Sequence, residues 1–186
     1  MIWNRLDTPG HDMATVARRG EGWRLAGHAI FTHEGRSSKL DYDIYCDERW
    51  RTHFVSVSGL ASDVLVSHEL TRGLDGVWRD ADDAPFASLT GCIDIDLGFT
   101  PATNLLPIRR LALEIGASAP VRAAWMRFPE MTIEVLEQTY TRLADFTYQY
   151  ESDSGKFRRE LTVNREGFVV DYPGLWIEDL EGVTKR

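Results

Sequence analysis

Asp94 and Asp96 lie two residues apart in CIDIDL, and Arg109 and Arg110 are adjacent in LPIRRL. If Cys92 to Leu97 is extended, both carboxylates leave the same face of the strand, about 7 Å apart. Two acids so placed can share general acid and base roles or hold one hard cation. The same alternation also describes a solvated outer face behind a core stripe of Ile93, Ile95 and Leu97. Consecutive arginines on a strand point to opposite faces, so one of the two at most reaches a cavity shared with the acids. There it would pair with Asp94 or Asp96 as a structural ion pair, or grip a phosphate or carboxylate in a two-pronged fork.

Between the acids and the arginines runs TPATNLLP. Pro101 and Pro107 each remove a backbone donor, and Asn104 can bond its own backbone. The stretch therefore holds a fixed irregular shape, which serves as a ligand-contacting corner or as a plain one. A short helical turn is expected near Thr103 to Pro107, with Thr103 or Asn104 as its cap. Three tyrosines, Tyr148, Tyr150 and Tyr172, add rings that each carry one hydroxyl, a combination that suits sugars and lipid headgroups.

Other chemistries lack their residues. There is no GxSxG nucleophile turn and no glycine-rich phosphate loop. The histidines at 11, 28, 33, 53 and 68 stand singly, without metal-ligand spacing, so neither a metal nor a cofactor is implied. Cys46 and Cys92 fit no CxxC and read as reduced packing residues.

The elements that must position these groups are mostly strands. Period-two alternation bounded by turn residues marks 23–32, 39–47, 49–58 and 63–71, with Leu40, Tyr42, Ile44 and Cys46 on one face. Residues 111–115 and VRAAWMRF read as a hairpin across GASAP, and Phe146, Tyr148 and Tyr150 as one strand face. Ile133 to Leu143 is the best long helix candidate, although its β-branched residues also fit a strand. The fold class expected is mainly β: a single-domain antiparallel roll or half-barrel over residues 1–186 with few short helices.

Composition fits that picture. The 186 residues are 43% hydrophobic and 11% aromatic, enough for one good core. The net charge of −8 disfavours nucleic acid as a partner. No apolar run is long enough for an integral membrane segment, and the start lacks the pattern of a secretory signal, so a cytoplasmic location is expected.

Three stretches carry a family resemblance: GCIDIDLGFTPATNLLPIRRLAL with GASAPVRAAWMRFP, the C-terminal YQYESDSGKFRRELTVNREGFVVDYPGLW, and the early GWRLAGHAIFTHEGRSSKLDYDIYCDERWRTHFVSV. From Trp3 to Trp176 the chain resembles the bacterial family named for glycolipid binding, formerly a domain of unknown function. The resemblance implies a spiral β-roll similar to periplasmic lipoprotein carriers, and a role in glycolipid metabolism. No catalytic residue carries over from it. Its strongest motifs match Asp94, Asp96, Thr100, Thr103, Asn104, Pro107, Arg109, Arg110, Tyr150, Asp171, Tyr172, Pro173 and Gly174. The leading expectation is a binding module that holds a glycolipid or other amphiphilic small molecule in its concave face, with one arginine on an anionic headgroup. The alternatives are an enzyme on glycolipids or sugars using Asp94 and Asp96 as acid and base, and a structural role through exposed sheet edges. The oligomeric state is left open.

Overall fold

The alternating segments assemble into one sheet of fourteen strands. The computed structural model describes residues 1–180; the last six of the domain expected over 1–186 lie outside the described residues. The first half of the chain is a meander of β1 (Ile2–Arg5), β2 (Gly10–Arg19), β3 (Gly22–His33), β4 (Arg36–Cys46), β5 (Thr52–Ala61), β6 (Val64–Arg72) and β7 (Trp78–Arg79). The second half contributes β8 (Asp94–Leu97), a short helix α1 (Leu105–Leu111), then β9 (Ser118–Arg127), β10 (Thr132–Ala144), β11 (Thr147–Ser152), β12 (Phe157–Val163), β13 (Val169–Tyr172) and β14 (Trp176–Glu178).

The two halves join at the middle of the sheet, where β1 pairs with β14 and Trp3 lies opposite Glu178. The edge strands are therefore β7 and β8. The sheet curls until they approach each other. Trp78 Nε1 and Arg72 Nε both donate to the Cys92 carbonyl at 3.0 Å, and Ile95 N donates to Thr52 Oγ1 at 3.4 Å. Side chains rather than a backbone ladder span this gap, so the sheet stays unclosed: a mainly β roll, as expected.

Period two decides what is buried. On β4, Leu40, Tyr42, Ile44 and Cys46 all point into the core, as their alternation predicts. Leu25, Val55, Val57 and Leu70 join them from β3, β5 and β6. Leu105, Leu106 and Ile108 of α1 plug the curl. Both cysteines are buried and free.

Four expectations are corrected. Ile133 to Leu143 lies in strand β10 rather than a helix, and it sends Gln138 and Tyr140 inward. Residues 111–115 are not a strand of a hairpin. β8 and β9 run parallel, and parallel neighbours need a crossover, which α1 and its flanking turns provide. Arg109 and Arg110 consequently lie in the last turn of a helix, where neighbours diverge by a quarter turn rather than to opposite faces. Finally, Phe146 leaves the tyrosine face: it sits in the turn before β11, 44% exposed, while Tyr148 and Tyr150 are buried. Among the described residues no helix is long and apolar enough to cross a membrane.

Candidate functional site

The inner side of the second half opens into a cavity of about 790 Å³, a size that suits a small-molecule ligand. The parallel register of β8 and β9 sets Asp96 beside Trp125 on its wall. Gly98 lets the Trp125 indole lie against the backbone, since a Cβ there would come within 2.8 Å of Nε1. Tyr150, Phe157, Tyr172 and Trp176 complete an aromatic surround. The rings of Tyr150, Phe157 and Tyr172 meet one another edge-on or tilted, with centroids 6.0 to 6.4 Å apart.

Polar groups are few and arranged. Gln138 Nε2 donates to Asp96 Oδ2 at 2.6 Å and to Tyr150 Oη at 3.0 Å, so one amide orients a carboxylate and a phenol together. Asp96 is half-buried; burial pushes its carboxyl up to about 6, the Gln138 bond opposes that, and the nearby Asp94 charge adds to it. Asn104, also on the wall, accepts from Tyr140 Oη at 2.8 Å and donates Nδ2 to the Pro101 carbonyl at 3.2 Å. It occupies the cap position of α1 without capping it; its side chain fixes the cavity wall instead. Thr103 does not cap either: its Oγ1 accepts from Leu97 N at 3.3 Å and ties the short 3₁₀ turn to β8.

The candidate residues thus divide. Asp96, Asn104, Tyr150 and Tyr172 meet in the cavity. Asp94 is buried behind it, and both its oxygens are held by Arg110, at 2.9 Å to Nε and 2.5 Å to Nη2. Burial raises the Asp94 carboxyl, and the guanidinium fork opposes the shift. The strand parity of the acids is as read, yet both project inward, so the solvated outer face does not describe them. Arg109 leaves in another direction, over the Trp50 ring at 5.1 Å, and lines a separate recess together with Tyr148.

One buried acid was missed. Asp12 of β2 is 1% exposed and accepts from Tyr42 Oη at 3.1 Å and from the Thr100 hydroxyl. Burial pushes its carboxyl up to about 7 against those hydrogen bonds. Thr100 itself lines the cavity, so this cluster backs its wall. The available signal was the alternation Asp12, Ala14, Val16, a polar residue heading an otherwise apolar stripe.

A curled, unclosed single sheet with an aromatic, hydrogen-bonding hollow on its inner side defines the fold as a β-roll. The chain belongs to the family described as "Putative glycolipid-binding", whose model matches residues 1–177. It is also similar to the crystal structure of a DUF1089 family protein from Pseudomonas aeruginosa, with a TM-score of 0.81 and 29% identity over 90% of this chain and 92% of that one. None of the curated proteins compared with it matches.

Proposed function

We propose that the protein binds a glycolipid or a similar amphiphile, with the sugar seated in the 790 Å³ cavity. The observation that carries this reading is a pair of polar groups on the cavity wall, Asp96 and Tyr150, held from behind by the buried Gln138 amide within a surround of aromatic rings. Sugar rings offer hydroxyl donors to carboxylate and amide groups, and C–H faces to Trp and Tyr. The wall carries Asp96, Glu137 and Asp153 against one cation, Arg127, which already faces Glu130 and Glu134 at 3.8 and 4.0 Å. That balance favours an uncharged sugar over an anionic headgroup. Neither Arg109 nor Arg110 lines this cavity.

An enzyme using Asp94 and Asp96 as acid and base needs both carboxylates at one substrate. Asp94 is forked by Arg110 and stands outside the cavity wall, so binding is the better supported reading. The test is native mass spectrometry of protein purified gently from its own cells, with melting curves against lipid extracts. Co-purified glycolipid and a raised Tm are expected. Consistently empty protein with an unmoved Tm would sink the proposal.

A further inference from the structure

Away from the cavity, a second recess of about 390 Å³ lies between α1, the turn before β11 and the turn joining β12 to β13. On a chain of net charge −8 its lining reverses sign: Arg109, Arg142 and Arg165 stand against one acid, Asp145. Another hollow of similar size, about 420 Å³, carries three arginines and three acids, and two of those arginines lie near their own carboxylates. Its charges cancel; those of the 390 Å³ recess do not.

None of the three guanidinium groups meets a carboxylate among the described residues. Arg142 is held by the backbone carbonyls of Leu113, Asp145 and Ala144 at 2.8, 2.9 and 3.3 Å and lies over the Tyr148 ring at 5.9 Å. Carbonyls fix a guanidinium in place without neutralising it. The exposed Arg109 stacks on Trp50, which itself stacks on Trp23 at 4.4 Å. The stack orients the Arg109 fork and leaves its N–H donors free. Arg165 is exposed on the turn that Asn164 builds by accepting from the backbone N–H groups of Glu166, Gly167 and Phe168. Three separate elements thus bring unneutralised guanidinium groups to one recess, and Phe146 offers an apolar surface at its side.

The geometry points to an anion site here: the recess binds a phosphoryl group, through guanidinium donors to its oxygens, independently of the sugar cavity. Two free forks, those of Arg109 and Arg165, beside the remaining N–H groups of Arg142 match a many-oxygened tetrahedral anion better than a two-oxygen carboxylate. Free phosphate and a phospholipid headgroup share this chemistry, and the experiment separates them. Arginine Nε–H NMR signals of the full chain are followed during titration with inorganic phosphate, dihexanoylphosphatidylglycerol, and uncharged dihexanoylglycerol. Saturable shifts of the Arg109 and Arg165 signals are expected with at least one anion, and the tighter of the two identifies the source. The double variant Arg109→Gln, Arg165→Gln should stay folded, with a Tm lowered by no more than about 4 °C because only the exposed Arg109–Trp50 contact is lost, and should lose affinity by about tenfold or more. No saturable shift with either anion, undiminished binding by the double variant, or an equal response to uncharged dihexanoylglycerol would each overturn the site.

Discussion

Arg110 closes a two-pronged fork on Asp94, Nε to Oδ1 at 2.9 Å and Nη2 to Oδ2 at 2.5 Å, while its neighbour Arg109 touches no carboxylate among the described residues. The Asp94 side chain is 1% exposed and that of Arg110 16%. Removing one partner of such a pair strands a buried charge. Arg110→Ala is therefore expected to lower stability by about 3–5 kcal/mol, the range for broken buried ion pairs. Arg109→Ala removes only an exposed cation–π contact and is expected to cost about 0.5–1 kcal/mol. Denaturant unfolding of the two variants measures the contrast. Equal losses would mean that the fork does not anchor α1 to β8.

Asp96 sets a pH dependence for the proposed ligand. Sugar hydroxyl groups donate to the ionised carboxylate, so the bound form favours loss of the proton that burial holds up to about 6. Affinity should rise as pH increases through that value and level off above it. Asp96→Asn should fold, because Gln138 retains an oxygen acceptor at that position, and should bind with a flat pH profile. Calorimetric titration between pH 5 and pH 8, a window chosen around the displaced carboxyl, would expose a profile unchanged by the substitution, against the proposed contact.

What the sequence revealed followed from how far one period dominates. Leu40, Tyr42, Ile44 and Cys46 show a clean period of two because β4 buries one whole face. The short helical turn expected near Thr103 to Pro107 is present, but its extent to Leu111 was obscured because α1 is seven residues long, contains Pro107, and follows a 3₁₀ turn, so no helical period develops. Ile133 to Leu143 misled because β10 directs Gln138 and Tyr140 inward, breaking the apolar stripe that would mark a strand. The same physics hid the site. Asp12, Asp94 and Gln138 are polar side chains on inward faces, and burial of such groups depends on partners far along the chain: Thr100 for Asp12, Arg110 for Asp94, Asp96 for Gln138. The parity of Asp94 and Asp96 was readable; their direction depended on which way the sheet curls.

Asp12 links protonation to folding. Its carboxyl is raised from 3.8 to about 7 by burial, so the folded chain binds this proton more tightly than the unfolded chain. The contribution is then fully present below the unfolded value and is lost as pH rises through the folded one, on the order of 1.4 kcal/mol per pH unit across the window. Asp12→Asn removes that slope while leaving an oxygen to accept from Tyr42 and Thr100. The variant should gain on the parent steadily as pH rises from 4 to 7 in unfolding titrations, a range bounded by the two carboxyl values. A constant difference over that range would show that Asp12 does not carry the proton.

Gly167 connects the phosphoryl recess to the packing beneath it. Its φ of +96° is one that residues with a Cβ rarely adopt, and a Cβ there would lie 3.0 Å from Leu105 Cδ1 and 3.2 Å from Arg109 Cδ. Gly35 offers the control: its φ is +77° and nothing lies within 4 Å of the added atom. Gly35→Ala should therefore cost only the backbone strain, about 1–2 kcal/mol. Gly167→Ala adds contact with a buried leucine of α1 and with the Arg109 stem, so its loss should exceed that of Gly35→Ala by about 1 kcal/mol or more. Because the Arg109 stem must shift, its Nε–H signal should move in the Gly167→Ala protein before any anion is added, and stay in place in Gly35→Ala. Equal losses of stability with an unmoved Arg109 signal would mean that the close approach at Gly167 has no part in placing the guanidinium.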